Sequence, residues 1–216
     1  MKTVLNWLWR LGAGFVFVLA ILLAANTLLY LNFDPGYKFL RFKQDAIATG
    51  WYLPAYYSHI LMGGIILVVG FFQFNESLRI HRRSLHRGLG YVYIVGILLF
   101  AAPGGMVMSF FVGRGPLVEV SFIAQCSLWF LFTSLAFRRI RERNITAHRE
   151  WMIRSYALTL AAITLRIYIF MASESIDLAH PGRYALLAWA SWLPNLIAAE
   201  WWIRRQRQLQ PFAGKA

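Results

Sequence analysis

Apolar residues in this chain fall in long unbroken runs separated by short basic stretches. Six runs stand out, at about 7–31, 53–74, 89–112, 117–137, 151–172 and 184–203. Each matches the roughly 20 residues that a helix needs to cross the hydrocarbon core of a bilayer. A membrane β-barrel is written differently, as short strands of alternating polarity. The pattern therefore predicts an all-α fold: a polytopic membrane helical bundle of six transmembrane helices, built as a single domain over residues 1–216. Glycines and Pro103 inside the third run are tolerable in lipid.

The first run begins soon after Met1-Lys2, as a secretory leader would. Its apolar part, from about Leu11 to Leu31, is longer than the about 7–15 residues of a leader's apolar core, so it reads as a retained first helix. The one sizeable connection, residues 32–50, mixes Phe39, Leu40 and Phe42 with Lys38, Arg41 and Lys43. That mixture predicts a short helix lying on the membrane surface.

Composition sharpens this picture. Apolar residues make up 59% of the chain and charged ones 14%, against roughly 25% charged in soluble domains. A net charge of +13 would point to nucleic acid in a soluble protein. Here the cations sit between the apolar runs, so topology accounts for them and no nucleic-acid partner is expected. Lys2, Arg10, Arg79, Arg82, Arg83, Arg87, Arg138, Arg139, Arg141, Arg143, Arg149, Arg204, Arg205, Arg207 and Lys215 fall on one side, with Lys38, Arg41, Lys43, Arg114 and Arg183 opposite and Arg154 and Arg166 inside a span. The positive-inside rule then places both termini in the cytoplasm, for a multi-pass membrane protein. The run from Arg138 to Arg143 reads as a solvated loop facing lipid headgroups. The lone Cys126 permits no intrachain disulfide.

Histidines and arginines at membrane depth are the candidate chemistry, because such residues are costly there. His86-Arg87 and His148-Arg149 each precede a long apolar run, while His59 lies inside one. On the fifth span, helical spacing puts His148, Met152, Ser155, Thr159, Ala162 and Arg166 on one face, which is expected to point into the bundle. Arg166 lies about 27 Å along the helix from His148. The second span carries His59, Gly63, Ile66, Gly70 and Gln73 as a stripe, and the third His86, Gly90, Tyr93 and Ile97. Two polar layers follow. The inner one holds His86, His148 and Glu200 with Arg154 and His81; the outer one holds His59, Arg166 and Glu119 with Tyr56 or Tyr57. Arg166 pairing with Glu119 or Glu174 is the structural alternative. His81 and His180 read as loop residues.

The stretches HRGLGYVY from His86 and HREWMIRSYALTLAAITLR from His148 resemble a bacterial family of small multi-helix predicted membrane proteins of unknown function. His59, His86, Arg87, Gly90, His148, Arg149, Trp151, Met152, Arg154, Ser155, Tyr156 and Arg166 carry the resemblance, which covers about 56–202. It implies a place in the bacterial inner (plasma) membrane and that these polar positions form the site, and it implies no activity. The plan is more loosely similar to that of transmembrane b-type cytochromes, whose helices hold paired histidines.

Two imidazoles from different helices suit haem ligation. The leading expectation is a membrane redox protein, and so a membrane oxidoreductase candidate. It would bind haem b, or otherwise a transition metal, and exchange electrons with a quinone or a redox partner protein. His86 and His148 are its expected ligands, to haem or metal alike; His59, Arg154 and Arg166 would hold propionates or a quinone oxygen. A second expectation is a transporter or channel for a small solute or ion, with His59 and Arg166 in its binding layer. A third is an assembly partner in the lipid bilayer with no site of its own and no cofactor. Hydrolase, phosphate-loop and dinucleotide motifs are absent from the sequence.

Overall fold

Uninterrupted apolar runs leave the backbone no partner in lipid except its own next turn, so the chain folds as helices. The structure is a computed structural model that describes residues 2–172 and 180–209. In order the helices are α1 (Lys2–Leu28), α2 (Gln44–Ala48), α3 (Tyr52–Gln73), α4 (Glu76–His81), α5 (Arg83–Val95), α6 (Ala102–Ser109), α7 (Pro116–Arg141), α8 (Ile145–Ala172), α9 (Pro181–Ala190) and α10 (Leu193–Leu209). A π-helical turn, Gly96–Ala101, joins α5 to α6, and 3₁₀ turns occupy Leu29–Asn32 and Lys38–Phe42. Among the described residues five stretches are long and apolar enough to cross a membrane: Arg10–Asn32, Tyr52–Gln73, Arg83–Ser109, Pro116–Arg141 and Ile145–Ala172.

The sixth expected span is not one helix. α9 stops at Ala190 and α10 starts at Leu193. Pro194 has no N–H to continue the ladder, and the side-chain amide of Asn195 donates to the Ser191 carbonyl across the break at 3.1 Å. The basic run after the fourth span also departs from expectation. Arg138, Arg139 and Arg141 form the last turn of α7 rather than a loop. Cations suit a helix C-terminus, and Arg138 and Arg139 both bond Glu142, at 2.8 and 2.7 Å. The Arg138 hydrogen bond, seconded by that of Arg139, holds the Glu142 carboxyl below its ordinary range.

Helix contacts cluster in two compact units, Met1–Phe111 and Val112–Ala216. In the first, α3 is the hub on which α1, α5, the π turn and α6 pack. Small residues set how closely they approach. A Cβ on Gly64 of α3 would lie 3.0 Å from Thr27 Oγ1 and 3.2 Å from Ala24 Cα of α1. A Cβ on Gly104 of α6 would lie 2.5 Å from the Ala55 carbonyl oxygen and 3.1 Å from the His59 nitrogen of α3. In the second unit, α7 and α8 form the principal pair; α9 packs on α7, and α10 on α8.

Candidate functional site

His86 and His148 occupy matching places. Each is the fourth residue of its helix, α5 or α8, and each is half-buried beside an exposed arginine, Arg87 or Arg149. The likeness between the two His-Arg stretches thus extends to their helical position. His81, expected in a loop, lies on α4, exposed, with Nδ1 donating to Ser77 O one turn back at 3.1 Å. His180 is exposed at the start of α9.

His148 is held by its neighbour helix. Its Nδ1 lies 2.8 Å from the carbonyl oxygen of Ala136 on α7. A carbonyl only accepts, so Nδ1 carries the proton, and in the neutral ring Nε2 keeps the lone pair. His59 repeats the arrangement in the first unit, with Nδ1 donating to Ala101 O at 2.7 Å. The acceptor closes the π turn. Ala101 O thereby takes a side-chain bond from α3.

Beyond His148, the α7/α8 interface is a seam of hydroxyls and amides. On α7 the residues are Gln125, Trp129 and Thr133, four apart, one ridge of a helix; Ser121, four further back, instead accepts from Trp192 Nε1 at 3.0 Å. On α8 they are Ser155 and Thr159. Trp129 Nε1 donates to Thr159 Oγ1 at 3.1 Å, and the Thr159 hydroxyl to Ser155 O. Thr133 and Ser155 hydroxyls meet at 2.8 Å. The Thr133 proton is committed to Trp129 O, so Ser155 is the donor. Gln125 Nε2 reaches Leu158 O at 3.4 Å. The seam does not make a proton wire, because an indole N–H donates but cannot accept. It joins helices, as such bonds do in membranes. Replacing Trp129 with phenylalanine is expected to cost about 1 kcal/mol in thermal unfolding, with no change in helix content by circular dichroism.

The α8 half of this seam is the face read from the sequence: Met152, Ser155 and Thr159 are buried. The α7 half was missed, although the four-residue spacing of its polar residues within an apolar run was its signal. The predicted face does not stay buried as far as Arg166, which is exposed and donates to Ala162 O of its own helix at 2.8 Å. It lies near the end of α8, where a long cationic side chain can reach the interface. The suggested partner Glu174 lies outside the described residues.

Arg154 is engaged elsewhere. Its guanidinium forms a two-point ion pair with Glu200 of α10, through Nε to Oε1 and through Nη2 to Oε2 at 3.0 Å, and lies over the Trp151 ring at 4.4 Å. Its side chain is 11% exposed. A second pair, Arg207 with Glu150, again joins α10 to α8. Among the described residues no group of three or more His, Cys, Asp or Glu side chains converges as a metal site; haem ligation needs only two imidazoles.

Residues 56–203 match the model of a family described as predicted membrane protein, DUF2306. No curated protein and no solved structure matches the chain.

Proposed function

The chain belongs to the DUF2306 family of predicted membrane proteins, and from that premise we propose that it is a membrane redox protein binding haem b, or otherwise a transition metal, through histidine. The observation that supports this reading is the Nδ1 bond from His148 to Ala136 O. Metal-ligating histidines are typically steadied this way: one ring nitrogen donates to a carbonyl, which fixes the ring and leaves the other nitrogen's lone pair for the metal. Haem iron would supply one-electron chemistry, passing electrons to or from a quinone-class partner. Arg154 is taken up by Glu200, so the propionates fall to other cations.

The test is a reduced-minus-oxidised absorption spectrum of the purified protein, with elemental analysis for iron, copper and zinc. A haem band or stoichiometric metal is expected that His148→Ala abolishes. A protein with neither haem band nor stoichiometric metal ends the proposal.

One observation favours a second reading, a small-solute or ion transporter. π-Helical turns are frequent at functional sites, and here one lies against His59 at its Ala101 carbonyl. Metal-free protein that moves solute across liposomes, and stops on His59→Ala, would select this reading.

A further inference from the structure

Residues 33–51 build a hydrogen-bonded foot between α1 and α3. Asp34 Oδ1 accepts from Gly36 N at 2.8 Å, and Gln44 Nε2 donates to Pro35 O and Leu40 O at 2.8 and 3.0 Å. Lys38 enters the 3₁₀ turn with φ of 44°, a left-handed conformation that such bonds hold in place. Because side chains three apart eclipse in a 3₁₀ helix, Lys38–Phe42 and the following Lys43 sort into three stripes. Leu40 and Lys43 face inward. Leu40 is fully buried against Tyr30, Tyr52 and Tyr56, and Lys43 Nζ donates to Phe111 O at 2.6 Å. Phe39 and Phe42 form an apolar stripe, 43% and 70% exposed, flanked by exposed Phe33 and Trp51. Lys38 and Arg41 form an exposed cationic stripe.

We propose that this foot is a binding site for anionic phospholipid, with Lys38 and Arg41 on the phosphate and Phe39 and Phe42 among the upper acyl carbons. Two arguments select this occupant. Aromatic and cationic side chains presented together are the side-chain chemistry of a membrane interface. The foot also lies between the C-terminal end of one candidate span, Arg10–Asn32, and the N-terminal end of another, Tyr52–Gln73, where headgroups are found. The backbone that presents the stripes is held by these hydrogen bonds before lipid arrives, which confines the ordering cost of binding to the side chains.

Full-length protein in detergent is titrated with phosphatidylglycerol or phosphatidylcholine, and bound lipid is counted by native mass spectrometry. Wild type is expected to prefer phosphatidylglycerol several-fold. Lys38→Gln with Arg41→Gln should abolish that preference, while Lys38→Arg with Arg41→Lys should keep it. Both positions are exposed, and an unchanged melting temperature in phosphatidylcholine nanodiscs verifies folding of the variants. Equal retention of the preference by the glutamine variant overturns the proposal, as does a wild type that binds both lipids alike.

Discussion

Alanine at Gly104 is expected to destabilise the protein by about 3 kcal/mol, the upper part of the range for overpacking. The added methyl would meet the Ala55 carbonyl oxygen and the Ser58 hydroxyl at 2.5 Å each, and the His59 nitrogen at 3.1 Å. Two of these three atoms are backbone, and no rotamer change moves a backbone. α6 must therefore lift from α3, which disturbs the bond from His59 to Ala101 nearby. Gly88 is the control. Nothing lies within 4 Å of a Cβ there, so Gly88→Ala should be neutral or slightly stabilising through helix propensity. Unfolding in mixed micelles, followed by circular dichroism, compares the two; equal midpoints would show that the α3/α6 approach is looser than described.

Glu200→Ala is the second large effect, an expected loss of about 2 kcal/mol, between the cost of breaking a buried ion pair and that of an exposed one. Arg154 keeps only 11% of its side chain exposed, and Glu200 keeps 35%. Removing the carboxylate strands a mostly buried guanidinium, with the Trp151 face at 4.4 Å and the more distant Glu150 carboxylate, already paired with Arg207, as partial compensation. Replacing both partners, Arg154→Met with Glu200→Met, should recover most of the loss, because it leaves no uncompensated charge. The same unfolding assay decides: a double variant no better than Glu200→Ala would mean that the carboxylate matters for something other than neutralising Arg154.

Much of the helical plan was legible, because lipid imposes a length and a polarity on each span that no local detail overrides. Places where local hydrogen bonding competes with hydropathy were harder. The turn Arg138–Arg141 has the charge of a loop but stays helical, since Glu142 pairs with it at three and four residues. The segment 184–203 has a span's hydropathy but breaks before Pro194. The face of α8 is written in Ser155 and Thr159, whereas the bond fixing His148 is not: its acceptor is the main chain of Ala136. A carbonyl carries no side-chain signature, so no reading of residue types finds it. The same holds for Ala101 O opposite His59.

The π-helical turn settles a question of phase. In an unbroken α-helix each residue advances about 100°, so Gly104, eight residues past Gly96, would point about 80° away from it. A π turn takes up one residue more than an α turn and removes about 100° of that advance, leaving the two glycines within about 20° of each other. Both then face α3, Gly96 toward Met62 and Ile66 and Gly104 toward Ala55 and Ser58. The extra residue acts like a leap day, letting a helix of one period stay in step along its whole length with a partner it would otherwise drift past.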